Sequence, residues 1–400
     1  MKILFVWDSV YPWDIRVEKV CNSLMRRGHE IHLVCRNPKY QVRNELYRGI
    51  HLHRIGCLPK YFRKLNGLFT FPFFLSPVWL LEIYSQARSN SCDMIMVRDL
   101  PMAPAALIVG KLLGLPVILD MAECYPELLR CTWKFEKFRL SNLLTRNPYV
   151  ADIIEKLVID NIDEVLVMIE ESRDRLLQMN VDSGKIHIVS NTPELDRFAS
   201  CAKVKDRQRE DGKALKMVYV GLLNPSRGID TLLLAVKEYV NGGRKIELTI
   251  AGSGKDENRL KEITAQNGLE AHVSFLGWVD NSEVPRLVAE SDICIVPHHK
   301  CTHWDTTIPN KLFDYMAAGK PVLVSNVTPM ERIVNENRCG LSYEDLNPAD
   351  LAAKIVLLED VNLRRGLGEN ARKAITAKYR WDLDEKVLDK VMAKFCKEQT

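Results

Sequence analysis

Short apolar runs alternating with helical stretches constrain this chain more than any other feature, and the alternation occurs twice. Strands that alternate with helices build a parallel sheet covered on both faces. In the first half, Ile3–Trp7, Ile31–Cys35, Met94–Val97, Pro116–Asp120, Val165–Ile169 and Ile186–Ser190 read as strands. Asp14–Arg27 reads as a helix with Val17, Val20, Cys21, Leu24 and Met25 on one face, stopped by Gly28. Another helix is expected over roughly 102–113, ended by Gly114. The polar stretch 199–216 breaks the pattern, and then the same grammar restarts. Met217–Val220, Ile246–Ala251, Val273–Leu276, Ile293–Val296 and Val322–Val324 read as strands. Gly228–Val240 reads as a helix with Ile229, Leu232, Leu233, Val236 and Val240 inward. The tail, 383–398, reads as a last amphipathic helix with Leu383, Val387, Val391 and Phe395 roughly in line.

The expected fold class is therefore α/β, with two doubly wound domains facing across a cleft. The first domain is expected over residues 1–198, a linker over 199–216 and the second domain over 217–380. The last helix, 381–400, is a candidate to pack back on the first domain. In such sheets ligands bind at the carboxyl ends of the strands.

Bulk properties remove several function classes. The formal net charge of +4 is too small to argue for nucleic acid, and it suits an anionic substrate. The 11 cysteines are dispersed, with no CxxC pair, which reads as free thiols in a reducing cytosol. Met1-Lys2 leads straight into a strand-like run, so no cleavable signal is expected, and no apolar stretch is long enough to span a bilayer. These features point to a cytoplasmic protein. Residues 61–81 are basic at the start and then rich in aromatics. They read either as a segment packed on the first domain or as peripheral contact with the inner face of a membrane.

The chemistry concentrates in Pro309–Ser325. A proline suits a helix start because its missing N–H has no partner there. Free amides and the positive end of the helix dipole attract anions, and Lys311 adds a full charge beside Asn310. Asp314 lies on the same face, where a carboxylate can bind hydroxyls. The bland alternative is a surface helix carrying a Lys–Asp pair. Two glycine turns, Gly221 to Gly228 and Gly252-Ser253-Gly254, follow earlier strands of the same half. Neither is a dinucleotide fingerprint or a Walker loop. Arg227 stands just before a helix, where a guanidinium can clamp phosphate oxygens.

In the first half, Asp120, Glu123 and Glu127 follow a strand end and are candidates for general-base or hydroxyl-binding work, or for capping the next helix. Arg98 and Asp99 end another strand, and Asp14 and Arg16 open the first long helix. His298, His299 and His303 precede Pro309; their spacing is poor for one metal ion and better for substrate contact.

These residues resemble glycosyltransferase family 4, over nearly the whole chain. Asp14–Glu18 with Arg27-Gly28-His29-Glu30 looks like the opening of the family, and Asp120–Glu127 like its strand-end acidic motif. Ile188-Val-Ser-Asn191-Thr-Pro193 is similar to its crossover, and Pro309–Pro321 to its most specific signature. The resemblance implies the GT-B fold of two Rossmann-like domains. It implies retaining transfer from a nucleoside-diphosphate sugar, used as co-substrate with no further cofactor and no required metal. It assigns Gly221, Arg227, Gly252, Gly254, Asn310, Lys311, Leu312 and Asp314 to the nucleotide sugar. It assigns Glu123 and Asp120 a catalytic-side role. Asp14, Arg16, Arg98, Asp99, His299 and His303 would meet substrate. The acceptor would be a saccharide or a lipid-linked saccharide in polysaccharide or glycolipid synthesis.

Three positions depart from the family. Leu222 replaces a frequent arginine, Thr306 replaces the first of two paired glutamates, and Ala122 replaces a frequent histidine. They leave open a non-catalytic binding subunit, or a nucleotide-sugar epimerase of the same fold.

Overall fold

The computed structural model describes residues 1–12, 14–56, 61, 74–135, 146–198 and 214–396. The strands form where the apolar runs lie. In order they are β1 (Lys2–Val10), β2 (Glu30–Arg36), β3 (Asn44–Tyr47), β4 (Ile50–Arg54), β5 (Met94–Arg98), β6 (Val117–Met121), β7 (Glu164–Val167) and β8 (Ile186–Ile188). They make one eight-stranded sheet in the order β3-β4-β2-β1-β5-β6-β7-β8. All its pairings are parallel except the hairpin β3–β4. That hairpin was not foreseen, because Asn44–Tyr47 is polar and mostly exposed and carries no apolar alternation.

Helices α1 (Ile15–Arg26), α2 (Pro77–Ser89), α3 (Ala103–Leu113), α4 (Tyr125–Phe135), α5 (Pro148–Asn161) and α6 (Glu170–Gln178) lie between these strands. Asp14 caps α1 rather than joining it, accepting the amide hydrogens of Arg16 and Val17 at 3.0 Å each. The buried face of α1 is Val17, Val20, Cys21 and Leu24, with Met25 half-buried. The core of this unit joins Leu4, Val6, Ile95, Val97 and Leu119 to Trp79 and Ala106.

The second sheet holds β9 (Leu215–Val220), β10 (Ile246–Ala251), β11 (Val273–Gly277), β12 (Ile293–Val296), β13 (Val322–Ser325) and β14 (Gly340–Tyr343). It is fully parallel, in the order β11-β10-β9-β12-β13-β14. Its helices are α7 (Ile229–Asn241), α8 (Glu257–Gln266), α9 (Val284–Ala289), α10 (Asn310–Ala317), α11 (Thr328–Asn337), α12 (Pro348–Leu357) and α13 (Val361–Ala377). The inward face of α7 is Ile229, Leu232, Leu233 and Val236. The last helix, α14, spans Trp381–Ala393. Leu388, Val391 and Met392 are its buried apolar side chains beyond Trp381, while Leu383 and Val387 are half-buried. Of the expected line Leu383, Val387, Val391 and Phe395, only Val391 is fully buried, and Phe395 lies beyond the helix end.

The chain divides into two compact units, Met1–Arg130 with Lys137–Val189 and Asp384–Thr400, and Cys131–Glu136 with Ser190–Leu383. The division thus falls at Val189, ahead of the polar stretch, and β9 already begins at Leu215. Residues 199–213 and 62–73 lie outside the described residues. Within the first unit α14 is held by ion pairs from Arg26 to Glu385 (3.0 Å), Arg27 to Asp389 (2.6 Å) and Lys394 to Glu164 (2.7 Å).

Strand order reverses between β1 and β5 in one sheet and between β9 and β12 in the other. Such switch points leave a crevice outside the strand ends, where doubly wound sheets hold ligands.

Candidate functional site

At the β9/β12 switch point the turns are built from glycine because backbone meets backbone. Gly252 has φ +145, and a Cβ there would stand 1.8 Å from the Gly221 carbonyl oxygen. A Cβ on Gly254 would stand 2.1 Å from the Leu223 oxygen. These two glycines therefore serve the packing of one turn on another. Gly221, with φ +142, differs: its missing Cβ would lie 2.5 Å from Lys311 Nζ. The bare Cα gives the lysine its place.

Lys311 Nζ sits 4.0 Å from the centroid of the Tyr219 ring. It is buried and has no hydrogen-bond partner among the described residues. Burial, reinforced by the Arg227 charge, pushes its pKa well below the ordinary lysine value. Pro309 is the N-cap of α10, one position earlier than a helical proline, so Asn310 and Lys311 open the helix. Asn310 Oδ1 accepts a hydrogen bond from Asn191 Nδ2. Leu312 is fully buried and its amide donates to the Pro309 carbonyl, so neither its side chain nor its N–H is offered to a ligand. Asp314 is half-buried on the same helix.

Arg227 ends a 3₁₀ turn, Pro225–Arg227, ahead of α7. Its guanidinium lies 4.4 Å from the Trp304 ring centroid, and its Nη1 donates to His298 Nε2 at 3.0 Å. Because a guanidinium can only donate, His298 Nε2 must accept, which places the imidazole proton on Nδ1. Burial first, then the charge of Arg227, holds His298 neutral by lowering its pKa well below the usual value. Arg227 Nε, His298 Nδ1 and Lys311 Nζ are all buried donors without an acceptor among the described residues. Buried donors left unpaired are costly, so a cluster of them marks a place prepared for an acceptor.

His299, expected at a substrate, is spent elsewhere. Its Nδ1 meets Asp345 at 2.8 Å and its Nε2 meets Asp230 at 3.2 Å. Burial alone would lower its pKa, but hydrogen bonds to Asp230 and Asp345 outweigh it and raise the value to about 9. His299 is thus a charged pin between loops. His303 is buried with its ring 4.5 Å from that of Trp304. Asp305 accepts hydrogen bonds from the amide (3.0 Å) and hydroxyl (2.7 Å) of Thr328 at the start of α11. Trp304 and Tyr219 were missed by sequence reasoning. No local signal marks them, because Trp304 meets Arg227 and Tyr219 meets Lys311 from distant parts of the chain.

In the first unit the expected residues meet at the ends of β5 and β6, but mostly engage one another. Asp120 is fully buried against Arg16, whose Nε reaches both carboxylate oxygens at 3.0 Å and whose Nη2 reaches Oδ1 at 2.5 Å. Both side chains are 0% exposed, so neither the expected catalytic role of Asp120 nor substrate contact by Arg16 has a path to solvent. Asp14 pairs with Arg98, and Arg98 lies 5.6 Å from the Trp7 ring. Asp99 holds the backbone of the next loop, its Oδ1 accepting from the amides of Ala122 (3.0 Å) and Glu123 (3.1 Å). Burial first, then repulsion from Asp120, raises the Asp99 pKa to about 6 despite the lowering by Arg98 and the Glu123 amide. Glu123 is half-buried at this strand end, and Glu127 pairs with Arg130 at 2.6 Å. Among the described residues no cluster of His, Cys, Asp and Glu has a metal-binding arrangement, and no helix is long and apolar enough to cross a membrane.

Residues 14–192 match the glycosyl transferase 4-like domain, and residues 202–374 match glycosyl transferases group 1. An uncharacterised glycosyltransferase of Methanocaldococcus jannaschii is 27% identical over 243 residues, 60% of either chain. A GDP-mannose-dependent alpha-(1-6)-phosphatidylinositol monomannoside mannosyltransferase of Mycobacterium tuberculosis is 26% identical over 58% of this chain. The chain spans 60% and 62% of the length of these two relatives. In fold, sucrose-phosphate synthase from Thermosynechococcus elongatus is similar with a TM-score of 0.77 at 17% identity, over 98% of each chain. Anabaena HepE, solved in complex with UDP-glucose, has a TM-score of 0.72 at 15% identity, over 98% of this chain and 100% of its own. Matched in sequence across both halves and in fold over nearly its whole length, the chain belongs to the family-4-type glycosyltransferases, with the GT-B fold.

Proposed function

We propose that the protein transfers a sugar, with retention of configuration, from a nucleoside-diphosphate sugar to a saccharide or lipid-linked saccharide acceptor, without needing a metal ion. The observation that carries this reading is the cluster of buried, unpartnered donors on Arg227, His298 and Lys311 at the β9/β12 switch point. Two cations and a neutral imidazole N–H suit a diphosphate. As the sugar–phosphate bond breaks, charge accumulates on the leaving diphosphate, and fixed cations there lower the barrier. Asp314 would accept from the ribose hydroxyls. We assign Glu123, half-buried at the same strand end as the buried Asp120–Arg16 pair, to the sugar and acceptor side. The names of two relatives support the donor class, one being GDP-mannose-dependent and the other solved with UDP-glucose.

We place the protein at the cytoplasmic face of a membrane when the acceptor is lipid-linked. In the run 61–81, Leu75 and Leu81 are exposed and offer apolar contact, while Trp79 is buried in the core and Phe74 packs against it.

The test measures binding of UDP-, GDP-, ADP- and dTDP-sugars, and transfer with and without EDTA, for the wild type, Arg227→Ala and Lys311→Ala. A charged hydrogen bond contributes roughly 1.5–3 kcal/mol, so each variant should bind about 10- to 100-fold more weakly. Unchanged affinity in both variants would sink the site assignment. Binding without transfer would favour a non-catalytic subunit, and sugar epimerisation without acceptor would favour an epimerase.

A further inference from the structure

Lys311 is an unusual cation for a phosphate site, because among the described residues no anion and no hydrogen-bond acceptor meets its amine, and only the face of the Tyr219 ring faces its charge. Its Nζ is buried, accepts no anion, and has no hydrogen-bond partner among the described residues. One side is covered by the Tyr219 ring at 4.0 Å, and another by Gly221, where an added Cβ would stand 2.5 Å from Nζ. The ionisable groups around it do not help. Arg227, from the loop after β9, opposes a second positive charge. His298, just past the end of β12, is held neutral, first by burial, and so offers no counter-charge. Tyr219 donates its hydroxyl to the Leu222 carbonyl at 2.7 Å, and Tyr315 of α10 accepts from the Val220 amide at 2.9 Å. Asp314 lies further along α10 and is not among the groups that act on the amine. Lysine is the basic side chain that gives up its proton when buried, whereas arginine does not.

We propose that Lys311 is an uncharged amine in the ligand-free protein and takes up one proton from solvent when a nucleoside diphosphate binds, so that donor binding and proton binding are coupled. The inference rests on the nucleotide-sugar reading above. The balance is simple: an N–H bond forms on Nζ, the proton is given up by the buffer acid, whose conjugate base stays in solution, and the ammonium pairs with the diphosphate anion. In the pH range between the two states of Lys311, affinity falls about tenfold for each unit of rising pH, because each binding event consumes one proton. The diphosphate also controls its own counter-charge, since the ammonium forms only where the anion is present.

The experiment is calorimetry at pH 8 with UDP-glucose, GDP-mannose, ADP-glucose and dTDP-glucose, in buffers of different ionisation heat. Such diphosphates do not themselves titrate there. The wild type should take up close to one proton per ligand, and Lys311→Arg, whose charge is permanent, close to none. Carbon-13 NMR of labelled lysine Cε provides a readout that does not depend on the variant binding. One resonance, absent in Lys311→Arg, should sit at the neutral position in the ligand-free protein and move to the charged position with nucleotide sugar. Tight binding with no proton uptake and a Lys311 signal that is charged throughout would overturn the proposal and leave the donor site standing. Undiminished uptake by Lys311→Arg would place the proton elsewhere and also overturn it. Failure of all four nucleotide sugars to bind the wild type would overturn both readings.

Discussion

Arg16 and Asp120 form an ion pair with both side chains fully buried, joining the first turn of α1 to the end of β6. A buried pair gives little net stability against an apolar pair of the same shape, but removing one partner strands the other charge at a cost of about 3–5 kcal/mol. Asp120→Ala should therefore lower the urea midpoint severely. The double change Arg16→Met with Asp120→Leu should recover most of that loss and keep nucleotide-sugar binding. A double variant as unstable as the single one would show that the pair does more than neutralise itself.

Asp99 holds the loop after β6 in place. It adopts φ +59, uncommon outside glycine, and holds the amides of Ala122 and Glu123 through one oxygen. Asp99→Asn keeps an acceptor at that oxygen, while Asp99→Ala removes it. We expect Asn to retain most transfer activity and Ala to reduce kcat by about tenfold or more, with donor KM little changed. The comparison of the two variants by steady-state kinetics checks this.

His299 predicts a pH dependence of stability. Its folded pKa, about 9, lies above the ordinary 6.5, so the stabilisation is complete below 6.5 and lost as pH rises through 9. Asp230, lowered to about 2 from 3.8 in spite of burial by its bonds to His299 and Arg259, sets the acid edge. The two shifts describe one shared interaction and do not add. Its size is on the order of 2–3 kcal/mol, from roughly 1.36 kcal/mol per unit. Thermal melts from pH 6 to 9.5 should show the wild type losing stability while His299→Gln stays nearly flat.

Trp304 should prove to be part of the anion site. A desolvated cation–π contact contributes up to about 2 kcal/mol, so Trp304→Leu should weaken nucleotide-sugar binding by up to about 30-fold. Trp304→Phe should lose only part of this. Titration calorimetry on both variants, with Arg227→Lys as the complementary change, measures the coupling.

The sequence made the strands and the helix starts readable because each depends on neighbours a few residues away. Gly221, Arg227 and the Pro309–Lys311 turn were visible for the same reason. The pairs that decide what the residues do were not. Arg16 meets Asp120, and His299 meets Asp230 and Asp345, across long stretches of chain that no local pattern connects. A charged residue at a strand end looks the same whether it faces a ligand or a buried partner. Asp120 was therefore expected to be catalytic, and Arg16 and His299 to meet substrate, where the structure shows each engaged by a protein partner.

The placement of α14 bears on how the chain is made. Residues 384–396 complete the first unit, yet they leave the ribosome after all of the second. Domains generally fold as units during synthesis, the N-terminal one first. Here the earliest-made unit must wait, lacking Glu385 and Asp389 for Arg26 and Arg27, until the later one has been synthesised. Nascent-chain arrest just before residue 381 should accordingly leave that surface bare, where a chaperone can reach it.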